Sequence, residues 1–260
     1  MAQNRLLAAY MLGAAFLPSA LYADGLPTAP VVIGGDVTVS NPAPGQMLVQ
    51  QGGPYGIINW GSFSIDQGNR AQFNNGAGVT LNRVTGGQMS SILGTLSATG
   101  SVYLVNPNGI VIGKTGVVNT GGRFVATTLD VADADLLDGG DMTLAGQSDA
   151  YVVNLGQVSS MGGDVALVAR HVVNEGTIAA PNGTVGLVAG RQILMRDAAV
   201  DDGLFSVLIG GADTSVTDAG ALRAAAAELR ANGGNVYALA GNTSATVEAV
   251  GVAHVNGRCF

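Results

Sequence analysis

Cysteine is almost missing from this 260-residue chain, and its one copy, Cys259, excludes an internal disulfide framework. Two readings of Cys259 remain: a residue without a role near the end of the chain, or an intermolecular disulfide in an oxidising compartment. Charge is scarce too, at 11% of residues, and the balance is acidic, with a net charge of −7. No run of Lys or Arg occurs. Nucleic acid is therefore excluded as a partner, because neutralising phosphates takes clustered basic groups. Aromatic residues make up 5%. Beyond the N-terminus, Gly and Asn interrupt every apolar run before it could span a bilayer. Low charge does not mean disorder here, since 47% of the chain is apolar and disorder goes with low hydrophobicity. Forty glycines set among Val, Leu, Ile and Ala point to many short strands joined by tight turns.

Signatures of catalysis and of metal or cofactor binding are missing as well. The stretch Val102–Gly116, VYLVNPNGIVIGKTG, ends like a phosphate-binding loop. However, three residues separate Gly109 from Gly113-Lys114-Thr115 where four are required, and no helix pattern follows to receive a phosphate. Histidine occurs twice, and His171 with Glu175 does not make HExxH. No G-x-S-x-G elbow is present. Asp130, Asp133, Asp135, Asp138 and Asp141 cluster in one segment, but EF-hand spacing breaks at Leu137. That segment reads as a solvated loop between coils. The expectation is a protein that binds and does not catalyse, without metal or cofactor.

The N-terminus has the layout of an export signal. Arg5 supplies a positive start, Leu6 to Leu17 an apolar core, Pro18 and Ser19 a break, and Ala23 a small residue before Asp24. Residues 1–23 are expected to be a signal peptide cut between Ala23 and Asp24.

What the chain has in abundance is repetition. NLGQVSSMGGDVALVA from Asn154 aligns with NEGTIAAPNGTVGLVA from Asn174 at a constant spacing of 20. The unit is an Asn-x-Gly turn, a short apolar strand, a Gly turn and a second strand. Strands this short bury a face only when stacked coil on coil, each paired with its equivalent one turn away at roughly 4.8 Å. The fold class is therefore all-β, a parallel solenoid. Ala166, Ala169 and Ala189 are expected at inward corners, and the matched Asn residues as a ladder of side-chain amides along the stack. Weaker copies are GGNVYALAG from Gly233 and NGRCF from Asn256. The segment TDAGALRAAAAELRANGG, near 217–232, reads as an external helix, with Asp218 or Thr217 as cap and Leu222, Ala225, Ala226 and Leu229 on one face. The chain stops in mid-strand, which suggests a truncated frame or a piece of a longer protein.

Four segments between Val31 and Val131 carry a resemblance: IINWGSFSI (Ile57–Ile65), AQFNN (Ala71–Asn75), LNRVTGGQMSSILGTLSATGSVYLVNPNGIVIG (Leu81–Gly113) and GGRFVATTLDV (Gly121–Val131). Together they resemble the haemagglutination-activity, or two-partner secretion, domain of filamentous haemagglutinin-type exoproteins. The Asn-Pro-Asn-Leu motif that members often carry earlier has only NPAP, Asn41–Pro44, as its counterpart here. The resemblance implies a right-handed parallel β-helix with small capping sheets. It implies residues 24–131 as the secretion domain and 132–260 as adhesive β-helix repeats, with the helical insertion among them. It implies a route through the periplasm of a Gram-negative bacterium to the cell surface or medium. The partner would be an outer-membrane β-barrel transporter with POTRA domains, and a receptor or glycan on host or neighbouring cells would follow. Asn106, Pro107, Asn108 and Gly109 are the expected secretion-signature turn, supported by Trp60, Phe63, Asn82, Arg83, Val84, Thr85 and Gly86. Two alternatives stay open: a polysaccharide-active β-helix enzyme, and a non-functional remnant of a larger adhesin, haemolysin or contact-dependent toxin.

Overall fold

The computed structural model describes residues 25–200, 203–211 and 213–231, with short strands at Thr246–Ala249, His254–Val255 and Arg258–Cys259. The expected signal peptide, its cut between Ala23 and Asp24, and the repeat copy from Gly233 to Gly241 lie outside the described residues.

The chain winds as a β-helix with three faces. The first stacks Gln46–Gln51, Arg70–Asn74, Thr95–Ala98, Val117–Thr120, Gln157–Ser160 and the first part of Thr177–Ala189. The second stacks Tyr55–Trp60, Val79–Val84, Ser101–Val105, Phe124–Thr127, Val165–Ala169 and the last part of Thr177–Ala189. The third stacks Ser90–Ile92, Ile110–Ile112, Tyr151–Asn154, His171–Asn174 and Ser215–Asp218. Pairing within each face is parallel, and one coil advances 20 residues where Gln157 meets Thr177 and 25 where Arg70 meets Thr95. The 20-residue sequence repeat is thus the pairing register: Asn154 lies beside Asn174 and Val165 beside Val185.

Side chains alternate in and out along each strand. The inward set forms one continuous apolar interior from Leu26 to Ala231, which runs across the expected boundary at residue 131. The expected amide ladder is present within it. Asn154 Nδ2 donates to Asn174 Oδ1 at 2.8 Å, and Asn174 Nδ2 donates to Asp218 Oδ1 at 2.8 Å. All three side chains are fully buried, so each bond satisfies groups that water cannot reach.

Twice the advance roughly doubles, to 42 where Ile110 meets Val152 and to 44 where His171 meets Ser215. The extra chain leaves at the corner between the second and third faces. The first insertion supplies Asp130–Val131, the helix Asp133–Asp138 and Met142–Ala145; the second supplies Gln192–Val200 and Gly203–Ile209. Their four strands form one antiparallel sheet, joined where Met142 meets Met195. This sheet covers the outward side of the second face and makes a second core, with Leu81, Tyr103, Val125, Ala166 and Val168 beneath Leu144, Ile193, Met195 and Phe205. That explains the unbroken apolar run Val165–Ala169, which is buried on both sides. It also corrects the placing of Ala166, which faces this outer sheet, while Ala169 and Ala189 face the interior.

At the N-terminal end, Val31–Gly34 pairs antiparallel with Tyr55–Trp60, and Val37–Ala43 pairs antiparallel with Gln46–Gln51. These strands cap the first coil, whose edge would otherwise offer unpaired backbone groups. NPAP lies here, with its first three residues in the capping strand and Gly45 turning the chain at φ +69°.

The external helix expected near 217–232 is not formed. Ser215–Asp218 and Ala221–Arg230 are strands of a further coil, and Ala221–Arg230 pairs with Thr177–Ala189 from Ala221↔Thr177 to Arg230↔Val188. Asp218 does not cap a helix; it takes the rung after Asn174 in the amide ladder. An Ala- and Leu-rich segment satisfies both helix and strand patterns, and stacking on a preformed edge overrides its helix propensity. The helix among the described residues is Asp133–Asp138, in the acidic segment read as a loop. The terminal segment read as a further repeat strand also differs, since Arg258–Cys259 pairs antiparallel with His254–Val255.

Candidate functional site

The expected signature residues are spread over 50 positions of sequence, yet they meet at one edge of the solenoid. Each strand of the second face ends in a corner leading to the third. Trp60-Gly61, Thr85-Gly86 and Asn106–Gly109 are three successive copies of that corner. The Thr85 amide donates to the Trp60 carbonyl at 2.9 Å, and the Thr85 hydroxyl donates to the same oxygen at 3.1 Å. A Cβ on Gly86 would overlap the Gly61 carbonyl oxygen, so only glycine lets these corners approach. Asn108 Nδ2 donates to the Gly86 carbonyl at 2.8 Å and ties in the third corner.

Within Asn106–Gly109 the four residues divide into two roles. Asn106 is fully buried: its Nδ2 donates to the Gln88 carbonyl at 3.0 Å and to Ser90 Oγ at 2.9 Å. Its Oδ1 accepts the Asn108 amide at 2.9 Å, an Asx turn built on the side chain. Gly109 is buried at φ +106°, a conformation that a side chain would strain. Pro107 and Asn108 form the exposed tip. The Pro107 carbonyl accepts the Ser148 hydroxyl at 2.6 Å, so the returning end of the first insertion is tied to the turn.

The supporting residues lie in and behind this column. Trp60 and Phe63 are buried in the first coils, ring edge to face at 5.4 Å, and Val84 is core. The Trp60 indole donates to Asn82 Oδ1 at 3.0 Å, and Asn82 Nδ2 donates to the Thr80 and Tyr103 carbonyls. Asn82 is a buried polar bracket between coils. Arg83 points outward from the same strand and pairs with Asp130 at 2.8 Å and Asp133 at 2.9 Å, and its guanidinium also donates to the Val131 carbonyl. Burial alone would lower its pKa; the hydrogen bonds and charges of Asp130 and Asp133 together outweigh that and raise it. Two more of the acidic side chains also work as anchors: Asp135 accepts the Thr143 amide and Asp141 accepts the Asp197 amide.

Sequence reasoning missed Ser90 and Ser148 as partners of the turn. Ser148 lies 41 residues from Pro107, in an insertion with no repeat to place it. It also missed Arg170, which pairs with Asp149 and Asp213 and so joins the returning ends of both insertions. Beside it, His171 stacks on Tyr151 at 4.6 Å and shares a hydrogen bond with Ser215. Burial, then the Arg170 charge, lowers the His171 pKa below its usual 6.5.

A groove of about 790 Å³ runs along a different edge, between the glycine corners at 100, 121, 122, 162 and 163 and the first insertion. Its polar wall is internally satisfied: Arg123 pairs with Asp164 at 2.7 Å and meets Tyr103 Oη. Neither the signature turn nor its supporting residues line it.

The model of the TPS secretion domain family matches residues 36–260, both insertions included. The chain belongs to that family. A heme/hemopexin-binding protein of Haemophilus influenzae Rd is 36% identical over 143 residues, covering 54% of this chain and 16% of the relative. A second H. influenzae protein of that name is 40% identical over 99 residues, 37% of this chain and 11% of the relative. The chain thus spans less than a fifth of the curated relatives it matches. Among solved structures, the HMW1 secretion domain from H. influenzae matches with a TM-score of 0.67 at 30% identity, over 78% of this chain and 57% of that one. The filamentous hemagglutinin secretion domain matches with a TM-score of 0.50 at 18% identity, over 86% and 96%, and bears on the fold alone. By name, the matched proteins are secretion domains and binding proteins, not enzymes.

Proposed function

We propose that this chain is the export end of a two-partner secretion exoprotein. It enters the periplasm on the signal peptide of residues 1–23. There, before folding, it is recognised by the POTRA domains of a dedicated outer-membrane β-barrel, and it folds outside the cell. The observation that carries this reading is the stacked column Trp60-Gly61, Thr85-Gly86, Asn106–Gly109, joined through Asn108 and Gly86 within a chain that matches the family along most of its length. The four turn residues have two tasks in this reading. Asn106 and Gly109 set the corner, and Pro107 and Asn108 present a short polar tip to the transporter.

A coil-by-coil fold suits export without periplasmic ATP, because each stacked coil buries apolar surface and disfavours return. The adhesive or toxic activity, and the receptor or glycan on another cell, belong to the longer protein of which this is one end. The names of the relatives do not supply that activity, since they are matched over 16% and 11% of their length. The experiment is binding of the purified periplasmic domains of the cognate transporter to this chain, held unfolded in mild urea and separately refolded. Binding to the unfolded chain that Pro107→Ala with Asn108→Ala weakens supports the reading; equal binding by the double variant removes the turn from recognition.

A further inference from the structure

The second insertion is fastened by a residue of the coil that follows it. Glu228 lies on the outward side of the second face, paired in register with Gly186. Its buried carboxylate accepts the Leu204 amide at 2.6 Å and the Phe205 amide at 3.2 Å, and Arg230 Nε donates to it at 3.0 Å. Gly203 turns the hairpin in at φ +88°, and a side chain there would run into the same carboxylate. Phe205 is fully buried, with its ring in the space that Gly186 leaves by having no side chain.

Without the following coil, two amides of the hairpin lose their acceptor. Without the hairpin, the carboxylate keeps its Arg230 contact and has water in place of the two amide donors. Closing the hairpin without that carboxylate would bury two amides with no acceptor, which disfavours the closed state. Beneath the hairpin lie Ala166, Val168 and Val188, apolar and outward on the solenoid. We propose that Glu228 is a latch that makes closure of the Gln192–Ile209 hairpin over the second face conditional on stacking of the Ala221–Arg230 coil. Closure of the outer sheet then reports that the chain has emerged through residue 230. That consequence rests on the export reading above; the latch itself does not.

The test is amide hydrogen exchange on the purified full chain. In Glu228→Ala the Leu204 and Phe205 amides lose protection about ten- to hundredfold relative to Leu167 and Val185 in the solenoid interior. Glu228→Gln, which keeps one acceptor and the shape, loses less. Leu222→Ala loosens the Ala221–Arg230 coil from its interior side. The latch predicts that Leu222→Ala lowers hairpin protection most when Glu228 is present, less once it is Gln, and little once it is Ala. An equal fall at Leu167, or an equal effect of Leu222→Ala in all backgrounds, overturns the proposal. If Glu228→Ala does not fold, Glu228→Gln carries both comparisons. No transporter takes part, so failure here leaves the export reading standing, and failed secretion with an intact latch counts against export alone.

Discussion

Asn106→Ala and Asn108→Ala separate folding from recognition at the signature turn. Asn106 is fully buried, and its removal strands Ser90 Oγ, which is buried too; Gln88 and Asn108 are exposed and can turn to water. One stranded buried hydroxyl, plus the lost contacts and the small void, costs about 2–4 kcal/mol. At about 2–4 °C per kcal/mol for a domain of this size, Tm falls by roughly 4–16 °C. Asn108→Ala removes bonds from an exposed side chain to the Gly86 carbonyl and Asn106 Oδ1. Its cost is about 0.5–1.5 kcal/mol, a shift of a few degrees. The assay pairs thermal unfolding of the purified variants with the fraction secreted through the cognate transporter. If the tip is recognised, Asn108→Ala lowers secretion more than a stability-matched variant elsewhere in the solenoid. Normal secretion by Asn108→Ala with normal folding would refute the specific role of the tip.

Asn174→Ala breaks the middle of the buried ladder, strands Asn154 Nδ2 and leaves Asp218 Oδ1 with the Gly220 amide alone; urea unfolding should show a loss of about 2–4 kcal/mol, whereas Asn182→Ala, which removes one exposed bond to the Met161 carbonyl, should cost about 0.5–1.5 kcal/mol. Gly121→Ala places a methyl group on the Thr99 carbonyl, a backbone atom that cannot step aside, and chemical denaturation should report a loss of about 1–3 kcal/mol. His171 has a folded pKa below its unfolded 6.5, so the unfolded chain binds the extra proton: its contribution is complete above about 6.5 and is lost as pH falls from there toward the folded value. His171→Gln should flatten that part of a stability-against-pH curve, and an unchanged slope below pH 6.5 would contradict the assignment.

The repeat was legible because Asn-x-Gly turns and alternating Val, Leu and Ala recur at one spacing, and that spacing is the register itself. The amide ladder followed from the same alignment, since matched Asn residues in stacked coils must lie side by side. The two insertions were hidden because their strands pair with each other across a full coil and carry no repeat. A trace was present in the Val165–Ala169 run, whose outward Ala166 and Val168 needed cover. Ala221–Arg230 misled because poly-alanine fits a helix locally, and only the waiting edge of Thr177–Ala189 decides for strand. Asn106 to Gly109 read as one turn in the sequence, but their division into buried anchors and exposed tip depends on Ser90 and Ser148, which arrive from elsewhere in the coils.

The most direct test of export is secretion of the whole chain from cells with and without the cognate outer-membrane transporter, scored in medium and periplasm. Folded chain in the medium only when the transporter is present is the predicted result. Release at the same level without it, or retention in the periplasm with it, would contradict the account.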